Sequence, residues 1–427
     1  MVLTNMDKIE PVKNKLFLFF FWLITIYSTL NITLTNNYES FFTTGHEIFM
    51  GDLFFFIDNP PRNYPPLAQI PYIIANKIIS TSDDAITSNL TNLQKINLIR
   101  SSYHGIFLGA TYILTSLLPL LIIFLASLKG NYLEKSIYAI SALVSGVMLF
   151  AINRGNIITY ALIFLNLFLL TYKSNNKYIR FSSYFFLAIA ANLKLYPAIF
   201  GILLILRKDW KGCVTSSIMF IFIYIISYII SYQQTGYNIF DLANNISSFI
   251  QSSSAYIPTS NDFSTKNFSK LLLYITFGFN TPTTLYTILN YTILASVVLC
   301  CMIIVFFSEQ EWQKYTSLSL ICMFVPQISY IYSGIFILPA ILSFISNDNK
   351  SKKNIVYAIL FCLTIVITDF PGSMFFIPSG FLIKCFAAYS ILLIMLIETT
   401  ANVINLYKFK KIRTLHDAIK IPFKQNE

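Results

Sequence analysis

Charged side chains are scarce in this sequence. Asp, Glu, Lys and Arg together make up 11% of the 427 residues, against roughly 25% in soluble domains. Hydrophobic residues make up 56%, and apolar runs of about 20 residues, long enough to cross a bilayer, recur from end to end. The runs are continuous rather than alternating, which favours spanning helices over the strands of a membrane barrel. The composition excludes an ordinary soluble enzyme and predicts an all-α, polytopic integral membrane protein.

Several patterns that indicate metal, nucleotide or nucleic-acid sites are also missing. The six cysteines form no Cys-x-x-Cys pair, which argues against a zinc site or a disulfide framework. The sequence has no glycine-rich phosphate loop, no His-Glu-x-x-His motif and no nucleophile elbow. It also has no Asp-x-Asp pair in its first long loop, so the sequence itself does not call for a metal, and no cofactor is predicted. The net charge is +11, but the basic residues are scattered over short loops, which argues against a nucleic-acid partner.

Hydropathy divides the chain into about twelve spans with both termini in the cytoplasm. A first span over 16–34 is predicted to be retained, because no small-residue cleavage pattern follows it. With the short loops inside, 21 of the 30 lysines and arginines lie on the cytoplasmic side, as the positive-inside rule requires. We predict one integral membrane domain over 1–427, an extracytoplasmic loop over 35–103 with juxtamembrane helices such as 67–80, and a basic cytoplasmic tail over 407–427. The other predicted segments are 104–128, 137–152, 157–172, the broken pair 181–193 and 196–206, 213–232, 284–307, 316–331, 333–346, 354–370 and 379–399.

Two cations stand out against apolar sequence. Arg154 closely follows the predicted span 137–152, and Lys194 interrupts the apolar stretch 181–206. Cations in such positions are costly and usually have a partner or a function. The topology places both at the outer ends of their segments, on the side of the acidic loop 35–66. We therefore predict that they form the cationic centre of an outer-facing, membrane-embedded site.

Cations and carboxylates at such a site suit the transfer of a sugar from a lipid phosphate. The phosphate is the leaving group, and an Arg or Lys aimed at its oxygens stabilises the charge that develops there. A carboxylate on the opposite side can take the proton of the acceptor hydroxyl as a general base. The loop holds four carboxylates, Glu39, Glu47, Asp52 and Asp58.

Four motifs together resemble a known family. They are a first span, an acidic loop that ends in Tyr64-Pro65-Pro66-Leu67, the turn Arg154-Gly155-Asn156, and Lys194-Leu195-Tyr196-Pro197 about 40 residues later. This arrangement is similar to the GT-C membrane glycosyltransferases, in particular the polyprenol-phosphate-mannose-dependent branch, glycosyltransferase family 87. The motifs cover roughly 15–210, and weaker similarities follow at 267–269 and 326–330.

The resemblance implies transfer of a mannose-like hexose from a polyprenyl-phosphate donor to a lipid or glycan acceptor at the outer membrane face, usually with inversion. The family's base is an acidic residue shortly after the first span. Where an Asp is expected this chain reads Thr35-Asn36-Asn37-Tyr38-Glu39, so Glu39 is the nearest carboxylate and Asp52 and Asp58 are alternatives. The residues that the resemblance places beside the donor phosphate are Arg154, Asn156, Lys194 and Tyr196. Those that shape the helix covering the site are Tyr64, Pro65 and Pro66.

Two other functions are compatible with a polytopic membrane protein. A flippase for lipid-linked oligosaccharide would need cations along a path through the membrane, whereas the charges here gather at one face. An O-antigen-type polymerase usually has several arginines in its large outer loops, whereas the second loop, 233–268, contains Lys266 and no Arg. A bacterial inner membrane is the expected location, with the endoplasmic reticulum membrane as the alternative.

Overall fold

A computed structural model describes the protein over part of its length. The described residues are 64–80, 102–236, 244, 262–278, 283–326, 329–347, 353–365, 373–374 and 377–408. The predicted first span, most of the first loop and the tail beyond residue 408 lie outside them. So do the three candidate bases Glu39, Asp52 and Asp58.

Helices form most of the described chain. In chain order they are α1 (Pro66–Ser80), α2 (Tyr103–Ser127), α3 (Tyr132–Leu143), α4 (Gly146–Arg154), α5 (Ile158–Thr171), α6 (Lys177–Leu193), a 3-10 helix (Tyr196–Gly201), α7 (Ile202–Leu206), α8 (Trp210–Thr235), α9 (Thr265–Phe277), α10 (Thr283–Phe307), α11 (Glu311–Phe324), a second 3-10 helix (Ile331–Ile337), α12 (Leu338–Ile345), α13 (Lys353–Ile365) and α14 (Ser379–Lys408). Two short antiparallel strands, β1 (Ser373–Met374) and β2 (Ile377–Pro378), precede α14.

Four of these helices, α2, α8, α10 and α14, are long and apolar enough to cross a membrane. In α8, Ile218 and Phe222 are 61% and 64% exposed, an arrangement suited to lipid rather than water. The chain is therefore a multi-pass membrane protein. The layout of about twelve spans, the cytoplasmic termini and the single membrane domain stay predictions.

The predicted span 137–152 is divided into two helices, α3 and α4, which are bent by 53°. Together they would make a fifth span. The break follows from local competition for hydrogen bonds. The hydroxyl of Ser145 donates to the carbonyl of Ala142 (2.7 Å), and the N–H of Ser145 also bonds that carbonyl instead of continuing the α-helical pattern.

The chain divides into two compact units. Unit I comprises 35–123 and 148–255, and unit II comprises 1–34, 124–147 and 256–427. In unit I, α6 packs against α5 and α8, and α1 packs against α8 and α6.

In unit II, α10, α11 and α14 pack against one another and α13 packs against α14. A buried aromatic cluster around Trp312 joins α11, α12 and α13. A second aromatic group forms where the ring of Tyr389 in α14 stacks on Phe268 of α9 (4.4 Å) and Phe324 of α11 (4.6 Å).

Candidate functional site

The Arg154-Gly155-Asn156 motif forms the corner between α4 and α5. Gly155 has a φ of 65°, in the left-handed region that residues with a Cβ adopt at a cost. Its N–H donates to the carbonyl of Ile152 (2.9 Å), and the N–H of Asn156 donates to the carbonyl of Ala151 (3.2 Å). These two bonds make a Schellman motif, which ends a helix by satisfying its last carbonyls. The corner holds Arg154, the last residue of α4, at 9% exposure.

Asn156 is fully buried and connects three segments of unit I. Its Oδ1 accepts the N–H of Ile158 (3.0 Å) at the start of α5. Its backbone carbonyl accepts the hydroxyl of Tyr112 in α2 (2.8 Å). Its Nδ2 donates to the hydroxyl of Tyr64 (3.2 Å), just before α1. Because both ends of the amide are used, an apolar side chain here would leave buried polar groups without partners.

Lys194 lies against the ring of Tyr64. The helix α6 ends at Leu193, and Lys194 has an extended backbone, with a φ of −146° and a ψ of 129°. Its side chain is buried at 6% exposure, and its Nζ is 3.6 Å from the ring centroid of Tyr64. This is a cation–π contact, worth about 0.5–2 kcal/mol. Pro197, at the start of the next 3-10 helix, has no N–H with which a continuous α-helix could be extended.

The backbone of Tyr64 is fixed as well. Its carbonyl accepts a hydrogen bond from Nε2 of Gln69 (3.0 Å), one turn into α1. The Oε1 of Gln69 accepts the hydroxyl of Ser231 in α8. Tyr64 is therefore held at its hydroxyl by Asn156, at its ring by Lys194 and at its carbonyl by Gln69.

Asn192 is a polar residue of this region that our reading of the sequence did not single out. It is fully buried, two residues before Lys194. Its Nδ2 donates to the carbonyls of Ala188 (2.9 Å) and of Phe220 in α8 (3.1 Å). Its Oδ1 has no hydrogen-bond partner among the described residues. The sequence signal was available, because an amide next to a cation inside an apolar stretch is as unusual as the cation itself.

The structure thus brings together Tyr64, Asn156 and Lys194 by direct contact, and Arg154 lies two residues from Asn156. Pro65 and Pro66 follow Tyr64 and are buried, and Tyr196 is half-buried at the start of its 3-10 helix. Among the described residues, no group of three or more His, Cys, Asp or Glu side chains could hold a metal ion.

A second polar cluster, in unit II, was missed at the sequence level. Asp262 and Lys270 precede and follow the start of α9, and Lys384 lies in the apolar helix α14. Lys270 and Lys384 are 6% and 2% exposed. Lys384, like Lys194, is a cation inside an apolar stretch, and this is the sequence signal that distinguishes it. No motif of the family neighbours it.

One comparison with known proteins gives a match. The family model described as glycosyltransferase family 87 matches residues 104–329, slightly more than half of the chain. The matched region contains Arg154, Asn156, Lys194 and Asp262, and it ends before α12. No curated protein and no solved structure matches the chain.

Proposed function

Because this chain belongs to glycosyltransferase family 87, as its motifs predicted, we propose that it moves a mannose-like hexose from a polyprenyl-phosphate donor to a lipid or glycan acceptor. The family establishes a membrane glycosyltransferase. The donor, the acceptor, inversion at the outer face, the GT-C architecture and the inner-membrane location are parts of the proposal. The observation that carries it is the buried contact between Lys194, Tyr64 and Asn156 in unit I.

Lys194 and Arg154 would stabilise the negative charge on the departing phosphate. When the bond between the sugar's anomeric carbon and the phosphate oxygen breaks, its electron pair stays on the phosphate. An ammonium and a guanidinium in a site with little water stabilise that charge more strongly than they would in water. Lys acts as a point charge and Arg can hold two phosphate oxygens at once, so the pair supports a phosphate-linked donor rather than a neutral sugar.

A carboxylate would complete the reaction. It takes the proton of the acceptor hydroxyl while the hydroxyl oxygen forms the new bond to the anomeric carbon, on the face opposite the departing phosphate. Glu39 is the proposed base, with Asp52 and Asp58 as alternatives. Attack from the opposite face in one step inverts the anomeric configuration.

The proposal is tested by transfer of radiolabelled sugar from polyprenyl-phosphate donors into membrane lipid or glycan. Lys194→Ala should lower the transfer rate by about a hundredfold or more, the usual cost of removing one electrostatic stabiliser. Glu39→Gln should lower it by at least about a hundredfold, as expected for a general base. Lys173→Ala is a matched control, because Lys173 also lies over a tyrosine ring, 5.5 Å from the centroid of Tyr172, but is exposed.

Three results would contradict this proposal. If Lys194→Ala and Glu39→Gln both retain full transfer, the assigned site is wrong. Movement of lipid-linked sugar across proteoliposomes without a new glycosidic bond would indicate a flippase. Accumulation of single repeat units after deletion of the gene would indicate a polymerase.

A further inference from the structure

The carboxylate of Asp262 in unit II accepts several hydrogen bonds from neighbouring residues. Its Oδ1 accepts the N–H groups of Ser264 (2.9 Å) and Ser329 (2.8 Å), and its Oδ2 accepts the hydroxyl of Ser264 (3.0 Å). Its backbone carbonyl accepts Nδ2 of Asn267 (2.7 Å). Asp262 therefore joins the start of α9 to the turn at Ser329. Its charge is distributed over three donors before any lysine is considered.

Two lysines of α9 and one of α14 lie in the neighbourhood of this carboxylate, and we call Lys266, Lys270 and Lys384 the lysine cluster. Lys266 and Lys270 are one turn apart on α9 and so share a face of that helix. The charge of Asp262 acts on both of them. Both lysines therefore lie close enough to Asp262 to feel its charge.

Lys384 joins the cluster through a contact between α9 and α14. The rings of Phe268 in α9 and Tyr389 in α14 stack 4.4 Å apart, so the two helices approach each other at that point. Lys384 lies five residues before Tyr389. The thiol of Cys385, the neighbour of Lys384, lies within the electrostatic reach of both Lys384 and Asp262. The carboxylate and the third lysine are therefore in the same neighbourhood.

The burial of these lysines is costly. Lys270 and Lys384 are 6% and 2% exposed. Removal of water lowers the pKa of Lys266. Removal of water and the charge of Lys266 together lower the pKa of Lys270 to about 8, against the opposite effect of Asp262. A buried ammonium is retained in proteins where an anion or a function compensates for its lost hydration.

We propose that the lysine cluster binds a phosphate group. Two lysines of α9 and one lysine of α14 lie in the neighbourhood of a carboxylate that is already hydrogen-bonded. A phosphate offers several oxygens that can accept hydrogen bonds from such ammonium groups. Asp262 and the serines around it then act as the frame that holds α9 in place, not as ligands of the anion. The cluster lies wholly in unit II, so the inference does not depend on the proposed role of Lys194 in unit I.

Protection from amine modification tests this on the full-length wild-type chain in an uncharged detergent. The probes are a polyprenyl monophosphate, the matching polyprenol without phosphate, and inorganic phosphate. A phosphate probe should lower the labelling of Lys270 and Lys384 at least about fivefold, and polyprenol should leave it unchanged. Lys314 is the internal control, since it is equally buried, at 6% exposure, and lies on α11, next to the residue that contacts Glu398 at the other end of α14.

The three probes also separate the sources of the phosphate. Protection by the lipid monophosphate alone assigns the site to a lipid headgroup, and equal protection by inorganic phosphate assigns it to the free anion. Equal labelling of Lys270 and Lys384 with and without every phosphate probe overturns the proposal. Protection by polyprenol as strong as by its phosphate overturns it too, since the chain and not the phosphate would then be recognised.

Variants give a second measurement by equilibrium binding of the polyprenyl monophosphate. All are made on a Lys194→Ala background, so that a phosphate bound in unit I is not counted. Lys270→Gln and Lys384→Gln should each weaken binding about tenfold, while Lys270→Arg, Lys384→Arg and Lys314→Gln should stay within about twofold. Unchanged binding by both glutamine variants contradicts the proposal. If Lys194→Ala alone leaves the binding of the polyprenyl monophosphate unchanged, the proposed donor site in unit I is contradicted. The proposed phosphate site at the lysine cluster is not affected by that result.

Discussion

At the scale of single residues, Tyr64 links the two candidate cations. Its ring contacts the ammonium group of Lys194, and its hydroxyl accepts a hydrogen bond from the side-chain amide of Asn156, two residues after Arg154. One aromatic side chain can thus fix the distance between an ammonium and the corner that holds a guanidinium. We interpret Tyr64 as a positioning residue for Lys194, in addition to its predicted role in shaping the loop.

Substitutions at Tyr64 can separate the ring from the hydroxyl. Tyr64→Phe keeps the face over Lys194 and leaves Nδ2 of Asn156 without its partner, at a cost of about 1–3 kcal/mol in stability. Tyr64→Leu removes the cation–π contact as well. We expect Tyr64→Leu to lower the rate of sugar transfer more than Tyr64→Phe does, whereas the melting temperatures of the two variants should be similar.

A double-mutant cycle provides the control for this prediction. Tyr64→Leu and Lys194→Gln should be coupled by about 0.5–2 kcal/mol, because the two side chains touch. Tyr64→Leu and Lys173→Ala should be additive. Equal transfer by the Phe and Leu variants would show that the ring does not position the ammonium.

Single residues of the site could be recognised from the sequence, but the contacts between them could not. Lys194 and Arg154 were found because a charge in an apolar stretch is costly wherever it lies. The contact between Tyr64 and Asn156 could not be found this way, since 92 residues separate them and only the packing of α1 on α6 and α8 closes that distance. Lys384 is also a charge inside an apolar stretch and could have been recognised in the same way, but no motif lies next to it.

At the scale of elements, the corner at Gly155 sets the direction of both helices that meet there. Gly155→Ala places a Cβ in the left-handed region, which costs about 1–2 kcal/mol. The strain should shift Asn156 and so disturb its bond to Tyr64. We expect a lower melting temperature and, in addition, a loss of sugar transfer larger than the fraction of unfolded protein explains.

Gly236 is the matched control for this substitution. It ends α8 with a φ of 68°, and a Cβ there would meet nothing within 4 Å. Gly236→Ala should lose similar stability and retain its transfer rate per folded molecule. If both alanine variants lose transfer in proportion to stability alone, the corner has no special role.

Hydropathy located most of the described helices, but several of their predicted ends differ from the structure by five residues or more. One of these differences has a clear physical reason. The predicted span 316–331 is the helix Glu311–Phe324, whose residues from Trp312 onward are all buried. Gln313 and Lys314 look like loop residues because a hydropathy window assumes that polar residues face water. In this helix they face other helices: Gln313, for example, donates to Glu398 of α14 (3.2 Å).

At the scale of the whole molecule, charge is distributed over two units that each bury lysines. We expect the affinity of the lysine cluster in unit II for a phosphate group to depend on pH. Lys270 has a pKa lowered to about 8 by loss of water and by Lys266, against the opposite effect of Asp262. Phosphate binding requires its protonated form. Among the described residues, Cys385 lies within the electrostatic reach of Lys384 and Asp262, and Tyr389 lies within that of Cys385 and Cys301.

The predicted pH dependence follows from the sign of that shift. Below about pH 8 Lys270 is charged, and affinity for polyprenyl monophosphate is high. Above it, binding must also take up a proton, so affinity should fall by up to about tenfold per pH unit. The ligand itself keeps its charge over this range, because its second pKa is near about 6. Equilibrium binding between about pH 7 and pH 9.5 measures the change, and Lys270→Gln should remove it.

One hydrogen bond in unit I links the membrane-spanning helix α8 to the candidate site. Ser231 lies within the spanning helix α8 and bonds Gln69, which holds the backbone of Tyr64. A helix of 26 residues is about 39 Å long, so its polar ends can reach beyond a hydrocarbon layer of about 30 Å. We expect a bilayer of a different thickness to change the tilt of α8 and, through Ser231 and Gln69, the geometry of the contact between Tyr64 and Lys194.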